Sequence, residues 1–515
     1  MKVPFTILKK CLALLFVAGG LAQTSHAQIV KNPPTKATVS TGGCNRCGAE
    51  ATVSDLEYSL TDDTTSFAEI STRRSGGITG QKWAEIAYDI TPSPDNRNVY
   101  VRLTASDNTA EPSPRLGAAN SSEGGTTLNL YYQGTQVPAS AVKMMEFRDR
   151  YNNTWYRLTT ANDFDQLVVR VTSKNYDYNY SWHVRSAKIY SVHTTQGSAT
   201  LDDCGEPAMI AFDSEVNGVP LAGPTTARLW EAIDGDFSTN TSGVLAGLAN
   251  IGAPTWNYHV MFNGLSGGTS TLKLTIGRGA TIVNLSGIRY RVHFLRKGEI
   301  FQSSDWTTLQ ILGLLAINSY KPLTFYHDAT APFDEARIEV QVPGISVTGE
   351  MIRVYDIRRT VPAPTLYGAL NSTLDVYKGE NALLTATGAA TDYLWYQGVK
   401  FTDPDTQQSG YIIDEETGLL GITQGTPTET PLKTITNFTY GPVSQDSVVF
   451  VRSIRSGCPT DTSAAHAINI RAITKPLPVT LSKLTVTRSG AAALLQWATT
   501  EETDNHYFDI QRSTD

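Results

Sequence analysis

Two stretches of sequence decide the fold, F-D-Q-L-V-V-R-V at residues 164–171 and F-D-E-A-R-I-E-V at residues 333–340. Each begins with Phe-Asp and continues largely as an alternation of apolar and polar side chains, the period of a β-strand with one buried face. The second stretch follows the first after about 169 residues. The pair therefore predicts a duplicated β-module.

Other segments repeat at nearly the same offset. Three further pairs match: 83–89 with 256–262, 98–104 with 270–276, and 186–192 with 351–357. A period of this length indicates a domain duplication, because solenoid repeats have periods of about 20–50 residues. The first pair places Trp83 and Trp256 at matching positions inside strands, which predicts that both rings lie in the core.

The composition is typical of an all-β exported protein. Short strands rich in Val, Thr and Tyr recur throughout, separated by turns rich in Gly and Pro. Only 18% of the 515 residues are charged and the net charge is −7 with both signs mixed, so no basic surface for nucleic acid is expected. The predicted fold class is all-β, with tandem antiparallel β-sandwiches.

The first residues have the pattern of a cleaved signal peptide. Lys9 and Lys10 precede an apolar run of about a dozen residues, which is too short to span a bilayer. Ser25-His26-Ala27 resembles a cleavage site, so we expect the mature chain to begin at Gln28. No other apolar run is long enough to span. We therefore expect a secreted or cell-surface protein without membrane insertion.

Pro-rich linkers at 360–365 and 474–481 divide the remainder of the chain. Between them, Trp395 lies on a predicted strand and Cys458 follows a later one, which is an immunoglobulin-like arrangement. Tyr377 stands near the position where such a module usually has its first cysteine. We therefore expect no disulfide between the two sheets of this module.

The last segment resembles the fibronectin type III-like module that precedes the C-terminal sorting domain of type IX secretion proteins. The pattern is carried by Trp497, Thr499, Glu502, Phe508, Ile510, Arg512 and Ser513. Residues 362–474 resemble the immunoglobulin-like modules of the same class. The duplicated region is similar to their N-terminal modules and to galactose-binding-like, discoidin-type jelly rolls. The resemblance implies export by the type IX route.

These observations predict the domain organisation. The last module stops about 40 residues into a sandwich that normally needs about 90–100, so we expect the sequence to be a fragment of a longer protein. The predicted segments are a signal peptide (1–27), jelly-roll-like copy one (28–196), jelly-roll-like copy two (197–361), an immunoglobulin-like module (362–474) and a truncated fibronectin type III-like module (475–515).

Four cysteines lie beyond the predicted signal peptide. Cys44 and Cys47 form a CxxC pair, which is compatible with a local disulfide, half a zinc site or a redox motif. An exported chain without a visible βαβ unit or a second CxxC favours the disulfide. Cys204 and Cys458 have no evident partners in the sequence.

An acidic turn at Asp234-Gly235-Asp236 precedes the first core strands of copy two. Asp234, Asp236 and Ser238 offer alternating oxygens, and Asp62 falls on Asp234 in copy one. Calcium takes six to eight such oxygens, and the similar loop of discoidin-type jelly rolls contributes to a structural calcium site. A polar turn capped by its own aspartates is the alternative. The predicted cofactor is therefore a structural Ca²⁺, with Asp234, Asp236, Ser238 and Asp62 as ligands.

One short stretch concentrates aromatic residues. Tyr176, Tyr178, Tyr180 and Trp182 alternate with polar residues, so in a strand they would share one face. Such a row could stack on sugar rings while Asn and Asp bind hydroxyl groups. An aromatic core face or a Tyr-rich loop is the alternative. We treat the row as the candidate ligand-binding site.

No catalytic residues are predicted. Gly264-Leu265-Ser266-Gly267-Gly268 matches the nucleophile motif of hydrolases, but a strand follows it instead of a helix, so a hairpin turn is expected. The histidines are scattered, without a metalloprotease spacing.

The predicted function is therefore non-catalytic binding or adhesion at the cell exterior. The expected partner is an extracellular glycan or cell-surface polysaccharide, bound by the duplicated modules. Two alternatives remain. The chain could be a structural stalk whose functional region lies elsewhere in a longer protein, or an accessory region of a secreted polysaccharide-degrading enzyme.

Overall fold

The computed structural model describes only part of the chain, and all structural statements below refer to these residues. They are 31–44, 49–61, 65–74, 80–92, 97–107, 113–118, 124–173, 183–195, 204–216, 219–220, 225–236, 238–245, 255–266, 270–278, 289–308, 322–341, 349–367, 373–402, 409–414, 417–427, 434–455, 458, 462–475 and 480–501.

The predicted fold class is confirmed: the protein is all-β and built of antiparallel sheets consistent with tandem β-sandwiches. The chain divides into two units. Unit 1 contains Met1–Pro362 and Ile454–Ser463, and unit 2 contains Ala363–Ser453 and Ala464–Asp515. Among the described residues, no helix has the length and apolar character needed to cross a membrane.

The strands of copy one surround one apolar core in unit 1. They are β1 (Lys31–Asn32), β2 (Lys36–Gly43), β3 (Ala49–Ser54), β4 (Ala68–Arg74), β5 (Lys82–Asp89), β6 (Asn98–Asp107), β7 (Arg115–Leu116), β8 (Gly125–Tyr132), β9 (Thr135–Gln136), β10 (Val142–Asp149), β11 (Thr154–Thr160), β12 (Gln166–Thr172) and β13 (His183–Thr195). Short 3-10 turns occupy Leu56–Leu60 and Ala139–Ala141. Ile86 and Val169 from one sheet meet Val101 and Ile189 from the other in this core.

Copy two has a separate core of the same kind. Its strands are β14 (Pro207–Val216), β15 (Val219–Pro220), β16 (Thr225–Ala227), β17 (Thr241–Leu245), β18 (Thr255–Phe262), β19 (Thr271–Arg278), β20 (Arg289–Arg296), β21 (Glu299–Ser303), β22 (Thr307–Thr308), β23 (Leu323–Asp328), β24 (Glu335–Gln341) and β25 (Gly349–Thr360). A 3-10 turn covers Leu229–Ala232. Tyr258 and Ile338 pack against Leu274 and Ile357 across this core.

The strand registers of the two copies correspond to one another. In copy one β12 lies between β5 and β8, and in copy two β24 lies between β18 and β20. Val169 pairs with Ile86 and Leu128, while Ile338 pairs with Tyr258 and Val292. The opposite sheets share an irregularity as well: pairing shifts at Tyr190 in β13 and at Tyr355 in β25.

The same registers correct the alignment of the two tryptophans by one residue. Val171 pairs with Ala84, and its counterpart Val340 pairs with Trp256, so Trp256 corresponds to Ala84. Trp256 is buried in the core, as predicted. Trp83 points to the other face of its sheet and is only partly buried. The prediction of a core position for Trp83 is therefore wrong.

The two copies share one sheet. The strand order β21-β20-β24-β18-β14-β10-β11-β6-β13-β4-β3 runs from copy two into copy one. The crossing pair is β14 with β10, where Ile210 pairs with Arg148 and Met209 with Asp149. A small apolar cluster covers this junction, and it consists of Tyr100, Phe147, Trp155, Met209, Ala211 and Met261.

Two further sequence interpretations change in unit 1. The segment around Ser266 joins β18 to β19, which belong to different sheets, so it is not the hairpin turn that was expected. Cys204 and Cys458 form a disulfide with Cα atoms 5.2 Å apart. Neither cysteine has an evident partner in the sequence, because 254 positions separate them. Ile454–Ser463, which carries Cys458, belongs to unit 1.

Unit 2 is a smaller sandwich followed by a two-stranded ribbon. Its strands are β26 (Thr365–Tyr367), β27 (Thr373–Tyr377), β28 (Ala382–Gly388), β29 (Asp392–Thr402), β30 (Ser409–Ile413), β31 (Leu419–Gln424), β32 (Thr426–Pro427), β33 (Thr434–Tyr440), β34 (Ser447–Ile454), β35 (His466–Ile473), β36 (Thr480–Ser489) and β37 (Ala492–Glu501). Trp395 is fully buried and stacks on Phe438, with ring centroids 4.9 Å apart.

Candidate functional site

The candidate site is the outward face of β14, β18, β24 and β20 in copy two. Alternation along β18 sends Trp256 and Tyr258 into the core. The intervening Asn257 and His259 therefore point to the other face of the sheet, where both are buried. Neighbouring strands add further polar side chains in register. We call the following six residues the charged face: Asp213, His259, Arg291, His293, Arg337 and Glu339.

A chain of ionic contacts begins at the charged face and runs into the junction with copy one. Nε2 of His259 lies 3.1 Å from Oδ2 of Asp213, and its Nδ1 lies 3.3 Å from Oε1 of Glu335. Arg157 of β11 donates from Nη1 to Oε2 of Glu335 at 2.7 Å. Asn257 donates to Asp213 at 2.7 Å. Glu335, with a side chain 5% exposed, is thus held between a guanidinium and an imidazole.

The protonation equilibria reflect these contacts. Burial alone would raise the pKa of Glu335, but the charge and hydrogen bonds of Arg157 and His259 lower it to about 2. Burial opposes the charge on His259, yet its contacts with Asp213 and Glu335 raise its pKa. The contacts thus favour the charged forms of both groups, since an uncompensated buried charge would be costly.

A second group of contacts lies at the other end of the charged face, where β24 pairs with β20. Nε2 of His293 lies 2.6 Å from Oε2 of Glu339, and Nδ1 of His293 lies 2.7 Å from Oγ of Ser303. Arg291 also donates to Oε2 of Glu339, at 2.6 Å. Both ring nitrogens of His293 are thus engaged, as are both ring nitrogens of His259.

Arg337 lies between these two groups. It pairs with His259 of β18 on one side and with His293 of β20 on the other. Its Nε atom is buried and has no hydrogen-bond partner, and in the part of the chain that the structure describes Arg337 forms no ion pair. Burial is the main cause of a lowered pKa at His293, and the positive charge of Arg337 lowers it further.

An aromatic ring borders the charged face. The guanidinium carbons of Arg289 and Arg291 lie 4.6 and 4.5 Å from the ring centroid of Trp306. Such stacking of cations on an indole fixes both partners. The result is a partly exposed indole beside a row of hydrogen-bonding groups.

The corresponding face of copy one carries a similar group. Arg170 lies over Trp83, 4.4 Å from the ring centroid, and donates to Oε2 of Glu85 at 2.6 Å. Ser40 donates to the other carboxylate oxygen of Glu85 at 2.7 Å. An indole stacked by an arginine that is itself paired with a glutamate therefore occurs on both copies, although Trp83 lies in β5 and Trp306 lies between β21 and β22.

The predicted calcium loop is a hydrogen-bonded turn. Oδ1 of Asp234 accepts from the Asp236 amide at 2.8 Å, and Oδ2 accepts from the Thr239 hydroxyl at 2.9 Å. Oδ1 of Asp236 accepts from the amide and the hydroxyl of Ser238. These local donors already satisfy three carboxylate oxygens, and no group of three or more His, Cys, Asp or Glu suited to a metal occurs among the described residues. Calcium binding stays a prediction.

Several predicted site residues cannot be placed. Asp62, the aromatic row Tyr176, Tyr178, Tyr180 and Trp182, and Cys47 lie outside the described residues. Cys44 is described at the end of β2, and its pairing with Cys47 stays a prediction. The correspondence of Asp62 with Asp234 therefore stays a prediction as well.

Unit 2 has a surface groove of its own. Its volume is about 560 Å³, and its lining includes Gln397, Lys400, Tyr411 and Tyr440. The hydroxyl of Tyr440 donates to Oε1 of Gln397 at 2.7 Å, which fixes one wall. This groove is a second polar surface with aromatic side chains.

No family model matches the chain. A comparison with curated proteins likewise gives no match.

Metal-ligand spacing along the chain does not reveal the charged face, because His259 and His293 lie on different strands. The useful signal was the alternation itself. R-Y-R-V-H-F and E-A-R-I-E-V place a charged or imidazole side chain at every second position over three consecutive outward positions. A solvent-facing strand needs polar residues there, but two adjacent strands with this pattern also build a continuous polar surface.

Proposed function

We propose that this chain belongs to an exported, non-catalytic binding or adhesion protein whose duplicated modules recognise a glycan at the cell exterior. The observation that carries the proposal is the outward sheet face of copy two. It combines Trp306 with a row of arginine, histidine and carboxylate groups held in fixed geometry. The similar group around Trp83 in copy one supports it.

The chemistry of this face suits a polyhydroxylated ligand. An indole face packs against the apolar C–H surface of a sugar ring, and neighbouring charged groups accept or donate hydrogen bonds to hydroxyls. The groups are already oriented by one another, so binding costs little ordering entropy.

Binding of the full chain to a panel of neutral and acidic polysaccharides tests the proposal. Trp306→Ala and Trp83→Ala should each weaken retention on the recognised polymer by about tenfold, which corresponds to about 1.4 kcal/mol. Trp497→Ala is the matched control, because Trp497 is a partly exposed indole in the ribbon of unit 2. Tyr411→Ala tests the groove of unit 2. Retention on no polymer, or loss only with Tyr411→Ala, would overturn the assignment to the duplicated modules.

A structural stalk is the second candidate, and the shared sheet favours it. Backbone hydrogen bonds between β10 and β14 join the two copies, which suits an extended rigid spacer. Glycan binding and a spacer role are distinguished by the same panel: a spacer binds no polymer, and its Trp306→Ala variant behaves as the wild type. The proposed type IX export, the immunoglobulin-like and fibronectin-like modules and the accessory role beside an enzyme rest on the resemblance alone.

A further inference from the structure

We propose that the charged face of copy two binds the anionic group of an acidic glycan, a carboxylate or a sulfate, with Arg337 as its anchor. This inference rests on the proposed function, since it names the class of glycan. It concerns copy two alone.

Both carboxylates of the charged face are already paired with residues other than Arg337. The carboxylate of Asp213 contacts His259 and Asn257, and the carboxylate of Glu339 contacts Arg291 and His293. Neither carboxylate forms a hydrogen bond or ion pair with Arg337 among the described residues. The guanidinium of Arg337 therefore lies at the centre of the face without an ion pair among the described residues. Its charge acts on the carboxylate of Asp213 only at longer range, where it helps to lower the pKa of Asp213.

The neighbours of Arg337 within the charged face already form contacts with other residues. His259 and His293 flank it on the neighbouring strands, and both ring nitrogens of each already contact Asp213, Glu335, Glu339 or Ser303. A partly buried, unpaired cation costs stability unless an anion neutralises it. Such a residue is stabilised by a ligand that brings the missing charge.

Arginine is suited to this task. Its planar guanidinium matches the geometry of carboxylate and sulfate oxygens and can bind two of them at once. The indole of Trp306 and the guanidinium of Arg291 lie on the same side of the sheet, where they would contact the sugar ring that carries the acid. A neutral sugar would leave the charge of Arg337 uncompensated.

The duplication provides an internal comparison. The registers of β12 and β24 place Val168 of copy one at the position of Arg337. By the same registers, Ala87 and Asn129 stand where His259 and His293 stand in copy two. Copy one therefore lacks the anchor and both imidazoles, and we assign acid recognition to copy two.

The test compares polymers that differ only in charge, with the full chain at fixed ionic strength. Calorimetric titration uses polygalacturonate, the same polymer after methyl esterification, dextran sulfate and uncharged dextran. We expect at least tenfold tighter binding of one charged polymer than of its uncharged counterpart. Arg337→Gln and Arg337→Val should abolish this preference, and Arg296→Gln, which removes an exposed arginine on the opposite side of β20, should retain it.

Two results would overturn the inference in distinguishable ways. Equal binding of charged and uncharged polymers, unchanged by Arg337→Gln, would reject acid recognition and leave the proposed function standing. Binding of no polymer would reject both. A stability measurement separates loss of function from misfolding: both Arg337 variants should unfold at the same temperature as the wild type or higher, because they remove an unpaired charge, and a marked decrease would show that Arg337 has a structural partner.

Discussion

Arg157 and Glu335 lie on strands four places apart in one sheet, yet Nη1 of Arg157 is 2.7 Å from Oε2 of Glu335. Neighbouring strands are about 4.8 Å apart, so four steps along a flat sheet would separate the strands by about 19 Å. The shared sheet must therefore bend sharply toward this face between β24 and β11. The apolar cluster of Tyr100, Phe147, Trp155 and their neighbours fills the inside of the bend.

Replacing Glu335 should destabilise unit 1 strongly. Glu335→Gln leaves Arg157 and His259 buried beside a neutral amide, and breaking a buried pair in this way typically costs about 3–5 kcal/mol. Urea unfolding of the wild type and the variant measures the change. Asp375→Asn, which breaks an exposed pair with Arg471, should have no measurable effect. A Glu335→Gln variant as stable as the wild type would show that the ion pair does not hold the bend.

The imidazole of His259 should stabilise the fold at low pH more than at high pH. Contacts with Asp213 and Glu335 raise its pKa in the folded state, so the folded protein binds this proton more tightly than the unfolded chain. Its contribution is complete below the unfolded pKa of about 6.5 and is lost as the pH rises through the folded pKa. His259→Gln should therefore cost more stability at pH 5.5 than at pH 9.

Glu335 should show the opposite dependence. Its folded pKa of about 2 lies below the ordinary value of 4.5, so its contribution is present above about pH 4.5 and is lost as the pH falls toward 2. Unfolding free energies of the wild type, His259→Gln and Glu335→Gln at several pH values measure both effects. A cost of His259→Gln that is independent of pH would contradict the pKa shift of His259.

The disulfide between Cys204 and Cys458 should be detectable in the full chain. Proteolysis without reductant should release one cross-linked pair of peptides that contains both cysteines. Cys204→Ser should lower the free energy of unfolding by about 2–5 kcal/mol, and Cys204→Ser with Cys458→Ser should cost no more than the single change. A peptide that links either residue to Cys44 or Cys47 would contradict the pairing.

The loop at Asp234 should be stabilised by its own hydrogen bonds. Asp234→Ala removes the acceptors of the Asp236 amide and the Thr239 hydroxyl, at a cost of about 1 kcal/mol. We expect the same decrease in unfolding temperature with calcium and with chelator. If calcium stabilises the wild type and not the variant, the calcium prediction is supported and the hydrogen-bond account of the loop is incomplete.

The duplication and the strand positions could be predicted from the sequence because they are local. Alternation over about seven residues is visible in each strand. The two copies also have a register shift in matching strand pairs, after Ile189 in copy one and after Thr275 in copy two. The offset between copies is not constant, however, since it is 169 residues between β12 and β24 and 164 between β8 and β20. The alignment of Trp83 with Trp256 is therefore wrong by one residue, because the loops of the two copies differ in length.

The contacts that define the candidate site could not be predicted, because they join residues that are distant in sequence. Arg157 and Glu335 are 178 positions apart, and His259 and Asp213 are 46 apart. Alternation indicates that each side chain points outward, but the bend between β24 and β11 decides which outward side chains meet. The same holds for Cys204 and Cys458, which are 254 positions apart and are both part of unit 1.

A double-mutant cycle between Arg157 and Glu335 tests most directly the claim that the two copies form one body across a bent sheet. The unfolding free energies of Arg157→Met, Glu335→Gln and the combined variant give the coupling between the two side chains. We predict a coupling of about 1–3 kcal/mol, as found for side chains in contact. A coupling near zero would mean that the two side chains do not meet, and would contradict both the bend and the site built on it.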